Sequence, residues 1–309
     1  MGYNGKVNKI TNGGVMSQTW STNIQGINTL NLNRQIRFTD KTFGQITQAI
    51  GIKDGDEILE LGCGPGTFTK RLADFYPEAN ITGLDFDQNF VDYCKEHAED
   101  KKLRYVRGNA LETPFENESF NVCTSHTVIE HLPNEVFLKE QFRLLKPGGK
   151  TVVMNVRAEK ALRSDIALEP SKREDELMDK ISQVLQVIQD KNKVAEHAAN
   201  PQEILRTMEG IGYVDLELNV IPYVVCIDDI RNTMEYKKLV LDSQKLMQIE
   251  FIEMALNKKS DVLSKVDLDE LYTLIEERFE DRIKMINNGE NIWDLSIVPN
   301  VMIIGKKPV

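Results

Sequence analysis

Between residues 57 and 156 the chain alternates short apolar runs with segments of helical periodicity, and few architectures accept that rhythm. Residues 57–61 (EILEL), 81–84 (ITGL), 103–106 (LRYV), 120–123 (FNVC) and 150–154 (KTVVM) read as strands, each bounded by turn residues or charge. Residues 67–76, 87–98 and 133–145 read as helices. The last is stopped by Lys146, Pro147, Gly148 and Gly149, and Asp87 is the expected N-cap of the second. Repeated strand–helix alternation implies a parallel sheet wrapped on both faces, with ligands held beyond the carboxyl ends of its strands.

The turn after the first strand narrows the ligand. In EILELGCGPGTFTKRL, residues 57–72, the glycines Gly62, Gly64 and Gly66 are spaced G-x-G-x-G. A dinucleotide turn places its third glycine where this chain has Thr67, and a P-loop needs a lysine that does not follow Gly66. What remains is a turn whose glycines let backbone approach a ligand closely. Glu60, two residues before the first glycine, is unfavourable beside a pyrophosphate and suits a cationic ligand.

The turn and the segments after it, in order, resemble the class I S-adenosylmethionine-dependent methyltransferases, in particular the methyltransferase type 11 branch. EILELGCGPG resembles motif I, ITGLDFD ends on Asp85, VRGNALETPF carries Asn109 and Ala110, and TSHTVIEHLP and LLKPGG match the fourth-strand segment and the turn before strand five. The likeness spans roughly residues 40 to 156. It implies a Rossmann-like, doubly wound, seven-stranded and mainly parallel α/β sheet with a reversed last strand. It implies S-adenosylmethionine as cofactor, with S-adenosylhomocysteine as product. The resemblance places Glu60, Gly62, Cys63, Gly64, Gly66, Asp85, Phe86, Asn109, Ala110, Leu111, Ser125 and His126 around that cofactor, Asp85 on the ribose hydroxyls. Many relatives have Asp where this chain has Asn109, but an amide also accepts a hydrogen bond.

Methyl transfer from a sulfonium is an in-line displacement, so alignment and exclusion of water are the main requirements. Where the acceptor arrives protonated, His126 and His131 are the candidate general bases, and His131 equally reads as a packed histidine of the loop. Residues 1–40 read either as a loosely ordered arm or as a cover that closes over the cofactor with Trp20 and Arg34 as contacts; Arg34 or Arg37 suits a methionyl carboxylate or an anionic acceptor, and both read equally as surface arginines on a helix.

Beyond this core, residues 41–156, the alternation stops. Residues 157–309 hold the remaining strands, 214–220 and 301–305, and helical inserts near 157–200 and 226–295. The second insert holds a long helical region from about 228 to 289, in which Asp267 and Glu270 read as a capping box ahead of Leu268, Leu271, Ile275 and Ile283. Tyr236, Met247, Phe251, Met254 and Tyr272 either wall a small-molecule pocket or fill a core, and the inserts also suit a homodimer interface.

Composition excludes several partners. A net charge of −10 and the absence of long basic runs disfavour nucleic acid, as does SHTV in place of the [ND]-P-P-[YF] of nucleic-acid amino-methylating enzymes. Ser125, His126, Asn155 and Arg157 stand where a catechol-type metal site needs acids, so no metal is expected. Cys63, Cys94, Cys123 and Cys226 form no C-x-x-C pair and read as reduced thiols. No apolar run of about 18 residues is present, and with a polar first 30 residues this points to a cytoplasmic protein away from membranes. The expected activity is methyl transfer to a small-molecule acceptor; a protein or peptide methyltransferase and a non-catalytic cofactor-binding regulator are the alternatives.

Overall fold

The computed structural model of the chain describes residues 20–98, 103–164 and 166–309, so the first part of the arm, residues 1–19, lies outside the described residues. Three helices come first: α1 (Trp20–Asn23), α2 (Ile27–Arg37) and α3 (Asp40–Ile50). The alternating core follows as β1 (Glu57–Leu61), α4 (Thr67–Phe75), β2 (Asn80–Asp85), α5 (Gln88–Glu96), β3 (Leu103–Arg107), β4 (Phe120–His126), α6 (Asn134–Leu144) and β5 (Leu145–Val156). Then come β6 (Leu162–Ser164), α7 (Lys172–Lys191), α8 (Pro201–Ile211), β7 (Val214–Val220) and β8 (Tyr223–Cys226). The chain closes with α9 (Met234–Lys258), α10 (Lys265–Asn287), β9 (Leu295–Val298) and β10 (Asn300–Lys306).

The main sheet has seven strands in the order β3-β2-β1-β4-β5-β10-β7. β1, β2, β3, β4 and β5 pair in parallel, and β10 runs antiparallel to both β5 and β7. This is the seven-stranded, mainly parallel sheet with a reversed last strand. Ile58, Leu59, Glu60 and Leu61 of β1 are all buried, as a central strand covered on both faces requires. One face packs Phe43, Ile46 and Phe68 from α3 and α4; the other packs Phe137, Leu138 and Met208 from α6 and α8.

Local caps set the helix starts. Asp87 accepts from the Asn89 N–H at the head of α5, and Asn200 with Glu203 forms a capping box ahead of α8. The second insert is helical over most of its length. It is two helices, α9 and α10, parted by residues 259–264, and the residue capping α10 is Ser264, whose hydroxyl accepts from the Asp267 N–H. Asp267 and Glu270 form no capping box. Both accept from the Arg173 guanidinium of α7, at 2.5 and 2.7 Å, where they tie the two inserts together.

The inserts share a hydrophobic core of their own, including Leu177, Ile181, Leu241, Ile252, Leu271 and Phe279, into which Ile36 of α2 also packs. A second sheet, in the order β6-β9-β8, lies in this region and has no counterpart in the sequence reading. Arg282 of α10 is fully buried between Asp228 at 2.7 Å and Asp294 at 2.6 Å. Among the described residues no helix is long and apolar enough to cross a membrane.

Candidate functional site

The strand order turns back between β1 and β4, and the turn after β1 lies at that point. Gly62, Gly64 and Gly66 all have positive φ (72°, 54° and 76°). At Gly62 a Cβ would fall 2.5 Å from Val128 Cγ2, and at Gly66 2.8 Å from Cys94 Sγ, so neither place admits a side chain without movement. The turn is pinned to β2: the Gly62 and Cys63 N–H groups donate to the Leu84 carbonyl, and the Gly64 N–H donates to Asp85 Oδ2 at 2.8 Å. Asp85 Oδ1 accepts from the Asp87 N–H at 2.9 Å.

Two acids therefore face the turn. Burial pushes the Asp85 carboxyl up to about 6 and the Glu60 carboxyl up to about 8, against a hydrogen bond from the Thr69 hydroxyl that favours the Glu60 anion. Cys63 and Cys94 pack together beneath the turn, where the neighbouring Cys94 thiol and burial push Cys63 up.

A cavity of about 430 Å³ opens over the turn. Of the residues expected from sequence, Glu60, Gly62, Cys63, Gly64, Asp85, Phe86, His126, His131, Trp20 and Arg34 line it. Gly66, Asn109, Ala110, Leu111 and Ser125 do not. Gly66 turns the chain into α4, and Asn109 uses its side-chain oxygen to accept from the Leu111 N–H in a tight turn beyond Asp85. Ala110 is buried in the core and Leu111 packs against it; Ser125 is buried in β4.

The cover is built from α1, α2 and α9. Ser21 N–H of α1 donates to Asp87 Oδ2 at 2.8 Å, fastening α1 to the end of β2, and the Trp20 ring stands edge-on to His131 at 4.7 Å between centroids. Glu250 of α9 accepts from the Gly26 N–H and the Thr29 hydroxyl, placing a carboxylate at the N-terminus of α2. Met247 and Phe251 of α9 reach the cavity wall, whereas Tyr236 and Tyr272 pack against the insert core and Met254 is buried.

At the end of β4, Arg34 donates to His126 Nε2 at 3.2 Å and to Thr127 Oγ1 at 2.5 Å. The Tyr223 hydroxyl lies 2.9 Å from the same Nε2. A guanidinium has no acceptor, so Nε2 carries the lone pair and the ring proton sits on Nδ1. Thr127, beside it, holds φ at 55°, a left-handed backbone that a β-branched residue rarely takes. His131 Nδ1 accepts from the Ala195 N–H at 3.0 Å, and burial lowers this imidazole to about 4, so it is neutral.

Sequence reasoning missed two residues here. Tyr223 lies 97 positions from His126 on a strand of the small sheet, and no local pattern connects them. Glu130 was passed over beside the histidine; burial pushes its carboxyl up to about 7, and it accepts from Asn155 Nδ2 at 3.2 Å.

The chain is similar to known methyltransferases. Residues 59–153 match the family model described as a methyltransferase domain. The demethylmenaquinone methyltransferase of Staphylococcus aureus is 34% identical over 113 residues, covering 36% of this chain and 47% of the relative. The chain thus spans about half the length of the curated relatives it matches. Among solved structures, phosphoethanolamine N-methyltransferase 2 of Haemonchus contortus, bound to phosphomonomethylethanolamine and S-adenosylhomocysteine, superposes with TM-score 0.56. Identity there is 17% over 96% of this chain and 59% of that one. The YcgJ protein of Bacillus subtilis gives TM-score 0.50 at 16% identity, covering 88% of this chain and all of that one.

Proposed function

We propose that the chain, whose residues 59–153 match the methyltransferase-domain model, is a class I methyltransferase that transfers a methyl group from S-adenosylmethionine to a small-molecule acceptor in the cavity over β1, β2 and β4. One observation carries the reading. The glycine turn and the Asp85 carboxylate are locked to each other at the mouth of the same cavity, with Glu60 behind them. A cationic, ribose-bearing ligand matches that site: Asp85 accepts from ribose hydroxyls, the Gly62–Gly64 backbone comes close to the ligand, and the ionised Asp85 carboxylate favours its positive charge.

When bound, the cofactor supplies a methyl group on a positively charged sulfur, open to displacement in line. The chain aligns the acceptor and keeps water out. α1 and α2 lie across the cavity, with Trp20 against His131 at one end and Arg34 locking His126 at the other. His126 Nε2 is already occupied by Arg34 and Tyr223, so His126 serves to position the acceptor side. Where an acceptor must lose a proton, His131 of the cavity lining is the group that meets it, with Glu130 Oε1 3.9 Å behind its Nε2.

Incubating the protein with methyl-labelled S-adenosylmethionine and a fractionated cell extract tests the reading. Label is expected in the small-molecule fraction. Label found only in protein supports the peptide alternative, and no transfer beside firm cofactor binding supports a non-catalytic protein.

A further inference from the structure

Arg37 lines the cavity, yet among the described residues it makes no hydrogen bond and no ion pair. Its guanidinium lies over the Tyr223 ring, 5.6 Å from the centroid. Arg34 stands one turn earlier on the same face of α2 and adds a second positive charge, and Arg163 adds a third nearby. Desolvation by burial, with the like charge of Arg163, lowers the proton affinity of Arg37, against the neighbouring Tyr223, which raises it.

Two basic residues in the last turn of α2 complement its C-terminal dipole. That accounts for the residue types. It does not account for placing a guanidinium in a cavity, against an aromatic ring and beside another guanidinium, without a carboxylate. A desolvated cation lacking a counter-charge is costly, and a planar guanidinium is the side chain best shaped to receive a carboxylate or phosphate.

Asp85 closes β2 and His126 closes β4, with β1 between them. Tyr223 reaches His126 from β8, and Arg37 lies over Tyr223. Arg37 thus belongs to the β4 side of the cavity, through Tyr223 and His126, whereas Asp85 stands at the end of β2. The same cavity carries an apolar wall from Val156, Met247 and Phe251.

We propose that the methyl acceptor is a small organic anion, its carboxylate or phosphate held by Arg37 and its apolar body lying along Val156, Met247 and Phe251. This rests on the methyltransferase reading of the cavity.

The test uses the full chain, with and without saturating S-adenosylhomocysteine, and three probes of similar size: benzoate, phenyl phosphate and neutral benzamide. Calorimetry is expected to give saturable binding of benzoate or phenyl phosphate, at least about tenfold tighter than benzamide. Which anion binds more tightly separates carboxylate from phosphate acceptors. Arg37→Gln is expected to weaken the anion at least about tenfold and to change S-adenosylhomocysteine affinity less than about threefold, with Arg37→Lys recovering part of the loss. Equal binding of anionic and neutral probes, or no anion binding, overturns the proposal. So does an Arg37→Gln variant that loses cofactor affinity as strongly as anion affinity, since Arg37 would then serve the cofactor. If the wild type binds no S-adenosylhomocysteine, the methyltransferase reading fails, while the titrations without it still report on the anion site.

Discussion

The Gly64 amide donates to Asp85 Oδ2 at 2.8 Å, which makes the turn after β1 and the end of β2 a single rigid unit. The Asp87 amide holds the other oxygen, so the carboxylate is oriented before any ligand arrives. A ligand that relies on the ionised form of Asp85 must follow its titration. With the carboxyl pushed up to about 6 by burial, S-adenosylhomocysteine affinity should rise about tenfold per pH unit below that value and level off near pH 7. Calorimetry at several pH values measures this, and an affinity that is flat between about pH 5 and 7 counts against the role.

Glu60 gives a stability prediction of definite sign. Its folded-state carboxyl is raised to about 8 from an ordinary value of 4.5, so the stability it contributes is complete below about 4.5 and lost as pH climbs through about 8. In ligand-free protein, Glu60→Gln should remove part of that loss. Between about pH 5 and 8.5 the wild type should lose ~1–2 kcal/mol more unfolding free energy than the variant. Urea titrations at both ends of the range are the check. Above about pH 8, where Glu60 is ionised, the variant should also bind the cationic cofactor more weakly than the wild type.

Gly62→Ala meets two obstacles, a Cβ 2.5 Å from Val128 Cγ2 and a φ of +72°. The expected cost is about 2–4 kcal/mol by urea denaturation. Adding Val128→Ala relieves the contact but not the dihedral, so the double variant should recover only part of the loss.

Arg282→Ala strips the shared partner from Asp228 and Asp294, both about 1% exposed. Each keeps backbone donors, Ile292 and Trp293 for Asp228 and Ile166 and Ala167 for Asp294, yet two like charges are left buried together. A loss of about 3–5 kcal/mol is expected. Hydrogen exchange should show it concentrated in α10 and the small sheet, with the main sheet less affected.

The core was legible because its strands and helices alternate at lengths that one period each can describe. Asp87 was readable as the cap of α5 because Asx before a helical run has a local cause. The cap of α10 was misread because Asp267 lies on the same short stretch as Ser264, and an acid three residues inside a helix mimics an N-cap pattern. β6, β8 and β9 escaped because three- and four-residue strands carry almost no periodicity and their partners are 60 residues or more apart. Tyr223 was lost with them. Arg34 and Arg37 could be read as basic residues ahead of the sheet. That Arg34 locks His126 and that Arg37 has no counter-charge depend on α2 folding back over the cavity, which no local pattern encodes.

Calorimetric titration of the wild type and Asp85→Ala with S-adenosylmethionine and S-adenosylhomocysteine tests the central claim most directly. Saturable wild-type binding in roughly the micromolar range, at least about 30-fold weaker in Asp85→Ala, is the predicted result. A folded wild type that binds neither ligand, or an Asp85→Ala variant that binds both as tightly as the wild type, would contradict it.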